Sequence, residues 1–529
     1  MRAFKRSLVT RWVLVPLVLI AFSWSCTKWS FVGNPWPTVQ ARHPQVVRVT
    51  LPSSEQLTLA NPRLEHDTLI GTVPMYKARG SRYFHGVAGK YGYLAIPTED
   101  VAAVEIPRTD ALKTVAAAGI GLLLVAAIIA VATADEPSPP PPSSPGDGDF
   151  SSCPLVYTWD GIDWRLDSGT FGGAFLQPLG RTDTDVLEHA SPSDGRLRLR
   201  VANQLAETDY LDEISVYAVE HAPGVTVAPT IDGRLLAFEA LIPPAIARDL
   251  RGRDALARVH RADGWSWESS LSQRDTANPA DLVDGLDLVF PRPKHTPSAR
   301  LLIDAHNTTW AAYLIQEYVR WHGSATDAWY DSLNADPVRA ARLGRKMAAE
   351  GFLRVRLWTG DEWRDQGLIW EAGPEVAKRQ AMELDLTRLD GDTLRLRLES
   401  APAYWLIDRV AVDYGREAPL TMYPLELELA RTADGDDVRD ALAASDGREL
   451  VLEPGSGAEL SLLVPALAPG LEHTYVLRSS GWYRIHGSSI GEPRIAALAR
   501  VENEPGAIAR LSVARMNRAL EILAEGRAP

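Results

Sequence analysis

The chain has 529 residues, 46% hydrophobic and 23% charged, with a net charge of −13. That length predicts three or four domains of ordinary globular composition. An acidic chain without a strong basic block argues against nucleic acid as a partner, because replacing phosphate counterions needs Lys and Arg. The two cysteines, Cys26 and Cys153, cannot build a disulfide framework.

From the N-terminus, Arg2, Lys5, Arg6 and Arg11 precede a short apolar stretch over 12–24, and Ser25-Cys26 follows. A positive region, a short apolar core and a small residue define a secretory signal. The stretch resembles a bacterial lipoprotein signal, which implies lipidation of Cys26. Ser23 and Trp24 depart from the usual pattern of such signals. Residues 45–108 alternate apolar and polar positions in five short runs, 46–51, 57–59, 68–73, 92–97 and 101–106. Short strands at this spacing predict a small closed barrel over 40–108. The order is similar to SH3-like or Sm-like barrels of membrane-attached bacterial proteins.

An apolar run at 114–134 carries no Asp, Glu, Lys, Arg or His. It has the length a helix needs to cross a bilayer, about 20 residues. Arg108 and Lys113 precede it and Asp135 and Glu136 follow, and this asymmetry favours an extracytoplasmic C-terminal part. Gly119 and Gly121 would let copies of such a helix pack closely. Residues 135–149 are proline-rich and predict an extended linker.

Beyond the linker the sequence repeats. V-Y-T-W-D-G-I-D-W (156–164), L-R-L-R-V-A-N (197–203) and Y-L-D-E-I-S-V-Y-A-V (210–219) reappear as V-R-L-W-T-G-D-E-W (355–363), L-R-L-R-L-E-S (394–400) and W-L-I-D-R-V-A-V-D-Y (405–414). Trp159 and Trp164 correspond to Trp358 and Trp363, and Asp212 to Asp408. Gly161 and Gly360 suit tight hairpin turns, which need positive φ. The Leu-Arg alternation puts Leu inward and Arg in solvent. These features predict repeated antiparallel sandwich or jelly-roll modules, the first over 150–325, the second over 326–430, and a C-terminal β segment over 431–529. Short helices are expected from Asp336-Pro337 to before Gly351, over 310–321, and over 512–525.

The fold class expected is therefore mainly β: a signal over 1–26, a small barrel, one membrane helix, a linker, then β-sandwich modules with a few helices. The stretch 152–173, S-C-P-L-V-Y-T-W-D-G onward, resembles a β module of uncharacterised bacterial cell-envelope lipoproteins. The stretch 471–486 is loosely similar to the segment that follows FG-GAP repeats in adhesin-like proteins. Both resemblances imply β architecture at the cell envelope.

Chemistry-bearing motifs are sparse. Gly487 to Gly491 fits G-x-S-x-G around Ser489, but no His follows His486, so a glycine-rich turn is the expected role. His and Cys show no zinc spacing. Calcium is the one cofactor that the acidic pairs Asp160 with Asp163 and Asp183 with Asp185, and the group Asp434, Asp436 and Asp437, could hold, and none matches a calcium-loop motif. Trp358, Trp363 and Trp370 could form an aromatic platform for a glycan, as could Trp265 with Trp267. The reading is a membrane-anchored envelope protein that binds a ligand, a glycan or another envelope protein, without catalysis. A carbohydrate-active hydrolase with a β-sandwich accessory module, or a periplasmic assembly factor, is the alternative.

Overall fold

The structure, a computed structural model, describes residues 28–31, 46–51, 56–65, 68–74, 83–88, 91–101, 103–108, 153–161, 163–465, 468–487 and 490–524. Cys26, the run 114–134, the linker 135–149 and Ser489 lie outside the described residues. Among the described residues no helix is long and apolar enough to cross a membrane. The chain divides into two units, before and after residues 123 and 124.

The first unit holds seven strands, β1 (Lys28–Phe31), β2 (Val46–Thr50), β3 (Gln56–Glu65), β4 (Thr68–Pro74), β5 (Phe84–Ala88), β6 (Tyr91–Pro97) and β7 (Ala103–Arg108). They form one antiparallel sheet in the order β1-β7-β2-β3-β4-β6-β5. Every strand run read from the alternation is present. Val47, Val49, Leu57, Leu59, Leu69, Val73, Leu94, Ile96 and Val104 point into a single core, as the period of two requires. Two features differ from the expected barrel. The sheet includes a strand before residue 40, and no strand pairing among the described residues joins β1 to β5 to close it.

In the second unit the sequence repeat is a structural repeat. The first copy comprises β8 (Leu155–Trp159), β9 (Trp164–Gly169), β10 (Arg181–Leu187), β11 (Arg196–Ala202) and β12 (Glu207–His221). After it come the hairpin β13 (Thr226–Pro229) and β14 (Leu235–Phe238), then β15 (Ile246–Asp249), helix α1 (Leu256–Val259), β16 (Trp267–Glu268), β17 (Asp284–Pro291) and β18 (Ser298–Asn307). Three helices follow, α2 (Thr309–Arg320), α3 (Thr326–Asn334) and α4 (Pro337–Gly351). The second copy is β19 (Leu353–Trp358), β20 (Trp363–Ile369), β21 (Lys378–Asp385), β22 (Thr393–Ser400) and β23 (Trp405–Asp413). The chain ends with β24 (Thr421–Pro424), β25 (Glu426–Thr432), α5 (Arg439–Leu442), β26 (Leu450–Leu452), β27 (Gly457–Leu463), β28 (Glu472–Ile485), α6 (Ile495–Asn503) and α7 (Ala507–Ala524).

Pairing nests one sandwich inside the other. The inner sandwich has the sheets β15-β17-β22-β19-β20 and β16-β23-β18-β21. The outer sandwich has the sheets β25-β27-β11-β8-β9 and β10-β28-β12-β24, with β26 also on β12. The boundaries expected at 325 and 430 therefore do not separate modules: β17 and β18, before 325, pair with β22 and β23, after it. The first copy draws its partners β27 and β28 from the far end of the chain. The sequence shows which segments are strands, but pairing between segments with the same alternation is not encoded locally.

The partner segments are also duplicated. β17 with β18 occupies the place that β27 with β28 occupies in the outer sandwich, and α1 matches α5. Irregularities repeat too. A bulge interrupts β8 on β9 after Val156 and β19 on β20 after Val355. Asp212 and Asp408 are each the extra residue of a bulge. Each accepts a backbone N–H from a glycine of the partner segment, Gly447 at 2.7 Å and Gly264 at 3.0 Å.

The helices close the far side. Asp336 caps α4 by accepting from the Arg339 N–H at 3.0 Å, and Thr308 caps α2 by accepting from the Ala311 N–H, so both expected helix starts lie within a residue or two of the observed ones. The Glu350 carboxylate at the end of α4 accepts from the N–H groups of Gly506, Ile508 and Ala509 at the start of α7. Negative charge there meets the positive end of the helix dipole. Trp310 Nε1 donates to Ser512 Oγ at 2.9 Å. One hydrophobic cluster runs through both sandwiches and this helical layer.

Candidate functional site

The Leu-Arg strands fold as the alternation requires, with Leu197, Leu199, Leu394, Leu396 and Leu398 buried. The arginines brace the outer faces. Trp159 and Trp164 pair across their hairpin with ring centroids 5.6 Å apart, and Trp358 and Trp363 do so at 5.3 Å. Arg198 and Arg200 lie over the first pair, Arg395 and Arg397 over the second. Each such contact contributes about 0.5–1 kcal/mol on a surface. Trp370 does not join Trp358 and Trp363. It follows β20, stacks under Arg181 at 4.3 Å and faces a cavity instead. Trp265 lies under Arg258, and Trp267 is buried.

Several of the acidic groups have partners of their own. Asp160 pairs with Arg165 and Asp437 with Arg439. Asp183 and Asp185, both buried, share the buried Lys378 at 3.3 and 2.9 Å, and Arg181 completes the cluster on Asp183 at 2.7 Å. These four residues join β10 of the outer sandwich to β21 of the inner one. Buried charges persist when paired and hydrogen-bonded in this way. Among the described residues no group of three or more His, Cys, Asp or Glu is placed to hold a metal ion.

The cavity of about 430 Å³ lies where the two sandwiches meet the helices, within the size range of small-molecule sites. Its walls are Phe175, Pro178 and Leu179 from the loop before β10, Leu314, Ile315 and Tyr318 from α2, Met347 and Ala348 from α4, and Val501, Ile508 and Leu511 from the C-terminal helices. Phe352, Leu368 and Trp370 complete it from the second copy, and Arg345 on α4 is exposed at its edge. An amphipathic helix buries an apolar stripe. Here four helices and a sheet edge converge without filling the space between them.

Two polar groups open into this wall, Glu371 and Tyr404. Among the described residues the Glu371 carboxylate makes no hydrogen bond or ion pair. Burial pushes its pKa up to about 7, against the opposing pull of the Arg181 guanidinium. The Tyr404 hydroxyl is pushed well above its ordinary range, first by burial and then by Glu371 and Glu350. Gly173, at φ +81°, leaves room for Glu371: a Cβ there would collide with Glu371 Oε2. Two smaller clefts also reach Glu371, one lined by Asp183, Asp185 and Lys378, the other by Gly172 and Asn307. An ionisable group in an apolar cleft with a perturbed pKa marks a candidate binding site.

Glu371, Tyr404 and Arg181 were not legible as a site in the sequence. The signal was in the repeat. With Trp164 on Trp363, position 371 of the second copy falls on Gly172 of the first. The second copy thus carries a carboxylate where the first carries a glycine. No protein-family model matches this chain, and no curated protein is similar to it.

Proposed function

We propose that this is a membrane-anchored cell-envelope protein whose paired β-sandwiches bind a small, largely apolar ligand and catalyse no reaction. The signal-like N-terminus with Cys26, the apolar run 114–134 and the proline-rich linker support the anchored placement, with the C-terminal part outside the cytoplasm. The cavity carries the ligand reading. It is enclosed mainly by aliphatic and aromatic side chains, and each methylene a ligand buries there contributes about 0.8 kcal/mol.

The test uses the full chain in lipid nanodiscs and the apolar fluorophore N-phenyl-1-naphthylamine. The wild type should raise its emission saturably. Ala348→Trp places an indole in the cavity from α4 and should abolish that rise while keeping the far-ultraviolet spectrum of the wild type. Equal emission from both proteins would sink the reading. Protease digestion of a C-terminal tag in spheroplasts, with protection in intact cells, is the outcome expected for the proposed placement.

A further inference from the structure

The head group of the ligand can be inferred from what the cavity leaves uncommitted, on the reading that the cavity binds a ligand. Its polar rim is almost entirely occupied by internal pairs. Next to the wall, Glu350 accepts from the first N–H groups of α7 and from Lys346. Tyr318 donates to Glu502, and Arg181 is held by Asp183 and by the Trp370 ring. What remains are two oxygens inside, the Glu371 carboxylate and the Tyr404 hydroxyl, facing an apolar wall, and the Arg345 guanidinium, exposed at the edge.

Charge points the same way. In the junction behind the cavity two cations, Arg181 and Lys378, face three carboxylates, Asp183, Asp185 and Glu371. The first two carboxylates are ion-paired and the third is not. A partly buried carboxylate without a partner carries part of the cost of desolvation, and a ligand that brings a donor relieves that cost. A carboxylate or phosphate head would instead meet like charge at Glu371.

We propose that the cavity takes an apolar monoamine: an aliphatic or aromatic body against α2, α4 and α7, and one protonated nitrogen that donates to the Glu371 carboxylate and the Tyr404 hydroxyl oxygen. Nothing is transferred or cleaved. Gly173 is then a positioning residue, since a side chain there would displace Glu371.

The experiment is displacement of the fluorophore from the full-length protein in nanodiscs by octylamine, octanol and octanoate, with Ala348→Trp as the blank for partition into lipid. Octylamine should displace at a concentration at least tenfold below octanol or octanoate. Glu371→Gln should bring octylamine to the level of octanol and leave octanol unchanged. Tyr404→Phe should weaken octylamine by a few fold with octanol unaffected. Affinity for octylamine should fall about fivefold between pH 7 and pH 6, because Glu371, with its pKa near 7, must lose a proton to receive the ammonium. Arg181, Asp183, Asp185, Lys378, Glu350 and Arg345 are the other charged groups around the site, and Glu371→Gln should flatten the profile if Glu371 sets it. Octanoate matching or exceeding octylamine, or a Glu371→Gln protein that keeps the preference, would overturn the amine assignment while leaving the cavity reading intact. A wild-type protein that never takes up the fluorophore would overturn both.

Discussion

Single side chains in this molecule carry unequal electrostatic loads. Asp209 lies on β12, fully buried beside Glu207, and its pKa is pushed up to about 8, chiefly by burial. In an unfolded chain an Asp titrates near 3.9. The folded state therefore holds this proton more tightly, and the resulting stabilisation is complete below pH 4. It is lost progressively as pH rises through 8. Asp209→Asn removes the titration with little change in shape. Its melting temperature should exceed that of the wild type at pH 8 by several degrees, and the two should converge near pH 4. A constant difference across that range would show that Asp209 does not carry the effect. Lys378 has the opposite role, holding two buried carboxylates that would otherwise be stranded.

At the scale of elements, the hairpins show what the sequence makes legible. The period-two runs, the turn glycines and the helix caps each rest on local chemistry, and each appears in the structure where the residues put it. Gly161 at φ +93° and Gly360 at φ +106° adopt the conformation that their turns demand. The tryptophan pairs behave as braces between two strands and two arginines rather than as a joint surface with Trp370. Trp358→Ala should thus lower the stability of the fold by about 1 kcal/mol, measured by urea denaturation, and leave fluorophore binding in the cavity unchanged. Loss of binding with unchanged stability would reverse that assignment. Trp370 could not be separated from the pair by sequence, because its position depends on where β20 ends and on which helices cover it. The cavity was hidden for the same reason: its lining comes from six stretches spread between residues 173 and 511, none of them polar enough to stand out. Cys26 and the run 114–134 lie outside the described residues, and the anchoring they suggest is tested by the protease experiment.

The whole second unit follows from its pairing plan, in which each copy is completed by a partner segment and the copies are nested rather than placed in tandem. This makes a sharp statement about fragments. Residues 240–416 contain every strand of the inner sandwich, whereas 150–325 contain halves of both. The first fragment should unfold cooperatively on heating. The second should show no cooperative transition, since β11 and β17 would lack a neighbour on one side and β12 and β18 on both. Two equally cooperative fragments, followed by circular dichroism, would mean that the copies can exchange partners.

The distance between Arg200 and Glu459, 259 positions apart in the chain yet joined across neighbouring strands, has a consequence in time. Chains emerge at about 5–20 residues per second, and distant pairings form slowly. The strands β8 to β12 would leave the ribosome tens of seconds before β27 and β28, with the free edge of β11 and the whole of β12 waiting for a partner. The last strand of the inner sandwich, β23, emerges a few seconds before β27, so the inner sandwich can act as a finished block against which the late strands dock. On the proposed placement outside the cytoplasm, the early strands must be kept from premature association during this wait, wherever the wait is spent.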